Sequence, residues 1–319
     1  IMKQISYDEV VELLSFKEAI QGMSDCFKDH ENGTIAQRER MVEILPDGKN
    51  KNVFALMPAY LGENRYFGAK IITAFPDNHA LNLPSHVGEV MLFDSKNGLP
   101  VALINANAIT WIRTAAVSAL ATDFLAKKDS SILTLFGSGQ QASSHLEAML
   151  CVRPIKVVRV YDLNPKSAQV FIDKMKAIHP DLEFINSSTI KEAVEDSDII
   201  CTLTPSKDAF LDAENISAGT HINAIGTFTP TTREIKSDLM KKSKVYVDDY
   251  EAAMKESGDL LIPISEGIMS AKDIKASLGE MVMGKVSARE NNEEITVFDA
   301  VGLAIEDLCC AEFIYNKVK

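Results

Sequence analysis

Basic runs are scarce in this sequence. No stretch holds more than two or three consecutive lysines or arginines, and 33 basic residues stand against 45 acidic ones, for a formal net charge of −12. The footprint with which proteins hold nucleic-acid phosphates is therefore missing, and the acidic excess serves solubility. No apolar stretch approaches the roughly 18 uninterrupted residues of a membrane helix. The first residues, Met2-Lys3-Gln4, lead into polar, helix-like sequence without a signal-peptide core. Cysteines are few: Cys26, Cys151, Cys201, Cys309 and Cys310 are odd in number and form no Cys-x-x-Cys pair. That spacing suits neither a disulfide framework nor a zinc centre. They read as small buried hydrophobes in a reducing cytoplasm, and no metal is expected. Also missing are a G-x-S-x-G elbow, an H-E-x-x-H pair and a Walker A loop, which removes the best-marked hydrolase and nucleotide-triphosphate plans.

What is present is 319 residues with 46% hydrophobic content, enough for a sizeable core and for two domains rather than one. The character changes near residue 130. Before it, a helical stretch over 7–31 precedes apolar extended runs at 38–45, 52–57, 66–75, 87–93 and 99–105, and Asn97-Gly98 marks a tight turn between the last two. These runs predict a mainly antiparallel sheet. An alanine-rich helix follows over 107–126. Short apolar strands at 132–136, 157–161, 183–185, 199–203, 221–225 and 245–247 then alternate with helices that include 140–151, 166–178 and 190–196. This is the α/β pattern of a doubly wound parallel sheet, and six strands complete a Rossmann dinucleotide fold. The stretch 296–319 reads as an amphipathic helix returning to the first domain. The expected division is 1–129, 130–295 and the returning helix 296–319, a Rossmann domain inserted into a smaller α/β domain.

The run 131–136 followed by Gly137-Ser138-Gly139-Gln140-Gln141-Ala142 is strand, glycine turn and helix. Gly137 permits the tight turn, Gly139 lets backbone approach a pyrophosphate, and Ala142 takes the small position where helix meets strand. The helix then offers its N-terminal amides to phosphate. Asp162 ends the next strand, where a carboxylate accepts from ribose hydroxyls and repels a 2′-phosphate, favouring NAD(H) over NADP(H). Thr202-Leu-Thr204-Pro and Asn223-Ala-Ile-Gly226 end the fourth and fifth strands, the edge on which such sheets bind ligands.

In the first domain Lys70 stands alone as a charge within 66–76, on a strand face shared with Gly68, Ile72 and Ala74. An unpaired buried ammonium is costly, so Lys70 either snorkels from an edge or meets an anion. Arg113 lies between an apolar turn and an alanine-rich run, where a guanidinium can hold a carboxylate through two hydrogen bonds. Arg40 alternates with Arg38, Val42 and Ile44 and by itself suits a solvated charge. His86, in a loop, has the chemistry of a proton donor but the setting of polar surface.

Together, Met57-Pro-Ala-Tyr60, Gly68-Ala-Lys70, Arg113-Thr-Ala-Ala-Val-Ser-Ala-Leu-Ala, Gly137-x-Gly-x-Gln-Ala, Asn223-Ala-Ile-Gly and Val301-Gly-Leu-Ala-Ile-Glu-Asp span nearly the whole chain. In this combination the sequence resembles the ornithine cyclodeaminase/μ-crystallin family. The resemblance implies an N-terminal substrate and dimerisation domain, completed by the C-terminal helix, around the Rossmann domain. It implies that Arg40, Lys70 and Arg113 grip a substrate carboxylate. Ser85, Thr114, the loop from Gly137 and Gly139 through Gln140 and Gln141 to Ala142, Asp162, Thr202, Thr204, Gly226 and Gly302 would face the cofactor. Two positions depart from the family pattern. Phe228 stands where cyclodeaminases carry an aspartate, and Ala300 where a serine is expected.

The resulting expectation is a cytoplasmic, homodimeric, NAD(H)-dependent oxidoreductase. It would reduce a cyclic imino acid of the 1-pyrroline-2-carboxylate type, or a related ketimine, with Lys70 and Arg113 as principal residues and Phe228 beside the substrate. Ornithine cyclodeaminase, alanine or another amino-acid dehydrogenase, and a non-catalytic dinucleotide binder are the alternatives. Ring size and physiological direction are not encoded in any motif.

Overall fold

Two serine caps break the opening helical stretch. After a short strand, β1 (Lys3–Ile5), Ser6 and Ser15 each accept from the amide of a glutamate three residues on, and each glutamate reaches back. These capping boxes start two helices, α1 (Tyr7–Leu13) and α2 (Phe16–Glu31), where the sequence suggested one. The strands β2 (Ala36–Gln37), β3 (Met41–Ile44), β4 (Val53–Tyr60), β5 (Tyr66–Ala74), β6 (His86–Asp94) and β7 (Pro100–Asn105) follow, then the long helix α3 (Ala106–Leu125). The computed structural model describes residues 2–319 apart from the side chain of His79. Its two compact units are Ile1–Ala116 with Leu303–Lys319, and Val117–Gly302, so the division falls at 116 and 302 where the sequence placed it at 129 and 295.

The first unit is built on a seven-stranded sheet in the order β1-β7-β6-β5-β4-β2, with β3 also on β4. All pairings are antiparallel except β1 on β7. Asn97-Gly98 makes the expected β6–β7 turn, Gly98 adopting φ +71°. The register aligns Met57, Lys70 and Val90 across three strands. Ala55, Met57, Ala59, Val90 and Leu92 are buried on this face, which is covered by the C-terminal helix. The other face carries Phe54, Leu56, Pro58, Ile71, Met91 and Phe93, all only half-buried, and Phe67 stacks on Phe93 with ring centres 5.3 Å apart. One side of the sheet is thus core, and the other an apolar surface.

The second unit begins with β8 (Ile132–Phe136), α4 (Gln140–Val152), β9 (Val157–Tyr161), α5 (Pro165–Ile178), β10 (Glu183–Asn186), α6 (Ile190–Val194), β11 (Ile199–Thr202) and β12 (His221–Ala224). It continues with α7 (Ser237–Lys242), β13 (Lys244–Val247), α8 (Tyr250–Glu256), α9 (Gly258–Ser265), β14 (Ile274–Ser277), α10 (Leu278–Val282) and β15 (Thr296–Asp299). Its sheet is parallel throughout, with eight strands in the order β10-β9-β8-β11-β12-β15-β13-β14. The first five positions of the dinucleotide fold lie where the sequence predicts them. The sixth differs: the neighbour of β12 is β15, not the strand at 245–247. Residues 296–299 were expected to be helical, yet Thr296, Val297, Phe298 and Asp299 are all buried, as a central parallel strand requires. The C-terminal helix α11 (Ala304–Val318) starts five residues later and belongs to the first unit. Of the cysteines, Cys26, Cys201, Cys309 and Cys310 are buried, but Cys151, on the outer side of α4, is exposed.

Candidate functional site

In the second unit, parallel strands bring the expected cofactor residues to one sheet edge. β8 runs into Gly137, whose φ of +94° is a conformation that side chains resist. A Cβ at Gly137 would lie 3.0 Å from the Leu203 carbonyl oxygen, so this glycine is demanded by the fold. Gly139 differs. It caps α4 with ordinary backbone angles, and a Cβ there would meet no protein atom within 4 Å. Nothing inside the protein requires glycine at 139, whereas close approach of a pyrophosphate would. Gln140 and Gln141 open the helix, and Ala142 is fully buried at the crossing with the sheet.

Asp162 follows β9 and turns toward this loop. One carboxylate oxygen accepts from the Ser138 amide at 3.0 Å and from its hydroxyl at 2.6 Å, and the other from the Asn164 amide at 2.9 Å. The acid is thereby fixed in place as an acceptor and a negative charge, the two properties that distinguish ribose hydroxyls from a 2′-phosphate.

Thr202 ends β11, Thr204 lies just beyond it, and Gly226 follows the neighbouring β12. Thr202 is fully buried at the end of its strand. Thr204 and Gly226 are joined through a residue that the sequence reading missed. Glu234, fully buried, accepts from the Thr204 amide and hydroxyl at 2.7 and 2.6 Å and from the Gly226 amide at 2.9 Å. Burial pushes its carboxyl up to about 7, against the pull of those donors. Asp259 in turn accepts from the Glu234 and Ile235 amides. Gly302, with φ +81° after β15, donates its amide to Asp248 at 2.8 Å. Phe228, on the loop beyond Gly226, is 52% exposed.

The first unit gathers the expected carboxylate-binding cations, in company the sequence did not suggest. Lys70 on β5 is 3% exposed and pairs with Asp307 at 2.8 Å, and its ammonium also donates to Thr110 at 3.4 Å. Arg113 on α3 gives its Nε to the other oxygen of Asp307 at 2.9 Å and its Nη1 to Glu306 at 2.6 Å. Lys70 is therefore not a snorkelling edge lysine. Burial draws it down to about 8, helped by Arg113 and Arg40 and opposed by Asp307. Burial also works against the Arg113 charge, but Asp307 and Glu306 outweigh it and hold the guanidinium protonated more firmly than usual. Burial raises Glu306, while Asp307 is lowered because its two cations overcome its burial. Arg40 is half-buried in the segment before β3, not within a strand, and its charge reaches Lys70. Thr114 follows Arg113 on α3 and is half-buried, and Ser85 shares a 3.0 Å hydrogen bond with the exposed His86.

Glu306 and Asp307 had a visible signal: two adjacent acids inside the apolar run Leu303-Ala-Ile-Glu-Asp-Leu-Cys-Cys-Ala, the mirror image of the lone Lys70. Glu234 lies in a polar loop and Asp259 in the first turn of α9, behind the polar run Lys255-Glu-Ser-Gly258, and neither carried one.

The model of the ornithine cyclodeaminase/mu-crystallin family matches residues 2–319. A delta(1)-pyrroline-2-carboxylate reductase of Colwellia psychrerythraea is 34% identical over 319 residues, covering 99% of both chains. Among solved structures, the Thermococcus litoralis delta(1)-pyrroline-2-carboxylate reductase in complex with NADH and L-proline superposes with a TM-score of 0.94 at 37% identity, covering 99% of this chain and 97% of that one. An archaeal alanine dehydrogenase dimer with bound NAD gives a TM-score of 0.91 at 32% identity, covering 99% and 95%.

Proposed function

The chain belongs to the ornithine cyclodeaminase/mu-crystallin family, and on that premise we propose that it is an NADH-dependent reductase of a cyclic imino acid, 1-pyrroline-2-carboxylate or a close ketimine, forming the amino acid. The observation that carries this reading is the agreement of a relative and a solved structure on one reaction, each more than 30% identical along nearly the whole chain. The residues present fit that chemistry. A glycine at 139 that internal packing does not require, the N-terminus of α4 and a fixed Asp162 carboxylate suit a pyrophosphate and an unmodified ribose. The Lys70–Arg113 pair suits a substrate carboxylate.

Reduction of the C=N bond places a hydride on carbon and a proton on nitrogen. NADH, when bound, supplies the hydride, and the protein's part is orientation and charge. Arg113, Lys70 and Arg40 would fix the carboxylate and so determine where the adjacent imine carbon lies. Lys70, drawn down to about 8 chiefly by burial, holds at Nζ a proton that it can release near neutral pH. Ser85, Thr114, Thr204, Gly226 and Gly302 are assigned to the cofactor side on the family resemblance.

Reduction is preferred to cyclodeamination because of Phe228. Oxidising ornithine and closing its ring needs a base for the ammonium protons, and a phenyl ring supplies none. The half-buried apolar face of the first sheet supports a homodimer, as does the dimer of the archaeal relative. Among the described residues no helix is long and apolar enough to cross a membrane and no disulfide joins the five cysteines; a reducing cytoplasm is our placement. The test is a substrate screen that follows NADH loss with preformed cyclic imines, with pyruvate plus ammonia, and with ornithine plus NAD. Oxidation of NADH by the imines alone supports the reading, and its absence refutes it.

A further inference from the structure

We propose that Asp307 is the positioning residue of the substrate site: its two carboxylate oxygens hold the Lys70 ammonium and the Arg113 guanidinium as one pair and keep Lys70 charged. The geometry is a bridge. Oδ2 lies 2.8 Å from Lys70 Nζ and Oδ1 lies 2.9 Å from Arg113 Nε, with all three side chains nearly or fully buried. Glu306 anchors Arg113 a second time at Nη1, 2.6 Å away. Asp307 sits in the first turn or so of α11, where the helix dipole favours an anion.

The consequence is a count of donors. An ammonium has three N–H bonds and a guanidinium five. Asp307 and Thr110 engage Lys70, while Asp307 and Glu306 take Nε and Nη1 of Arg113. Nη2 has no partner among the described residues, and Lys70, which meets Asp307 as an ion pair and donates a hydrogen bond only to Thr110, keeps at least one donor. The two internal acids thus orient each cation so that it presents remaining donors, one from each side of Asp307, to the two oxygens of an incoming carboxylate. The buried quartet of Lys70, Arg113, Glu306 and Asp307 sums to zero formal charge, and the charge of Arg40 also reaches Lys70.

The charge of Lys70 depends on this arrangement. The groups that act on it are Asp307 and Glu306 from α11, Arg113 from α3 and Arg40 from the segment before β3. Cys310, beside Asp307 and Arg113 on α11, is held neutral by burial. Burial, Arg113 and Arg40 all favour the uncharged amine, and among these groups only Asp307 both touches Lys70 and opposes them. Removing its charge leaves a buried lysine beside two cations, which lowers an ammonium further.

The proposal rests on the assignment of Lys70 and Arg113 to the substrate, and the experiment separates the two. Lys70 is titrated directly by NMR of its side-chain nitrogen, and kcat and KM for 1-pyrroline-2-carboxylate are measured against pH in wild type, Asp307→Asn and Asp307→Glu. Wild-type kcat/KM is expected to fall as pH rises through the Lys70 transition near 8. In Asp307→Asn both the NMR transition and this alkaline limb should move down by about one unit or more, with KM raised at least about tenfold and NADH affinity within twofold. Asp307→Glu keeps the charge but not the reach, so its limb should stay near the wild-type position while KM rises. If Asp307→Asn fails to fold, Asp307→Glu decides: an unchanged KM overturns the proposal. So does an Asp307→Asn enzyme that loses activity and thermal stability without any shift in either transition, the mark of a merely structural acid. If Lys70→Ala retains full imine reduction while the NMR shift appears, the coupling stands and the substrate assignment fails.

Discussion

Glu234 and Thr204 form the tightest link between the loops that follow β11 and β12: one carboxylate oxygen accepts both the amide and the hydroxyl of Thr204, at 2.7 and 2.6 Å. The other oxygen takes the Gly226 amide, and a Cβ on Gly226 would run into the Thr204 backbone. The ionised form makes all three bonds, and protonation removes an acceptor. Because burial places this carboxyl near 7, NADH affinity should weaken as pH falls from 8 to 6. Stability should move the opposite way. The folded state holds a proton that the unfolded chain has released, so this group's contribution is present below its unfolded value and is lost as pH rises from about 4.5 through about 7. Glu234→Gln should flatten both profiles and bind NADH several-fold more weakly at pH 8. Titrating NADH fluorescence and thermal unfolding across that range checks both signs.

Asp162 should govern cofactor choice. Its carboxylate is fixed by Ser138 and Asn164, and a charge held there repels a 2′-phosphate. NADH should bind more tightly than NADPH, and Asp162→Ser should narrow the gap by about tenfold or more, about 1.4 kcal/mol. Competition of the two nucleotides for the wild type measures it. Tighter NADPH binding would remove Asp162 from the role.

Arg113→Lys tests the fork. Lysine keeps the charge but cannot meet Asp307, Glu306 and a substrate carboxylate in one plane. The substrate carboxylate then loses its bidentate partner, so kcat/KM should fall by about 100-fold. NADH affinity should change little. Equal loss of cofactor binding would give Arg113 a different task.

The open sheet face should be the dimer interface. Phe67, Met91 and Phe93 lie on it, with Phe67 and Phe93 stacked. Met91→Asp would bury a charge against its apolar counterpart and should yield monomers by sedimentation at micromolar concentration. A wild type that sediments as a monomer would contradict the assignment.

Legibility followed the strength of local signals. The β8–turn–α4 unit and the β9 strand lie where periodicity and glycine spacing place them, because their pattern is local. β15 escaped because four buried residues, Thr296 to Asp299, run with little break into the apolar helix α11, and a short buried strand has no period of its own. Lys70 and Arg113 stood out as isolated charges in apolar sequence. Their partners Glu306 and Asp307 lie about 190 to 240 residues away, and only the fold closes that distance.

We propose that Phe228 separates this reductase from a cyclodeaminase. It is exposed on the loop after Gly226 and cannot accept the protons that ornithine's ammonium groups must lose. Glu89, a carboxylate of β6, aligns with Ile71 on the sheet face opposite Lys70 and so does not stand in for that base beside Lys70. Phe228→Asp should weaken imine reduction by setting a charge against an apolar ring. The decisive measurement runs the wild-type enzyme side by side with 1-pyrroline-2-carboxylate plus NADH and with ornithine plus NAD, following nucleotide absorbance, proline and ammonia. Stoichiometric NADH loss and proline from the imine, with little ammonia from ornithine, is the expected result. Efficient ammonia release from ornithine without net NADH change, or no proline from the imine, would contradict it.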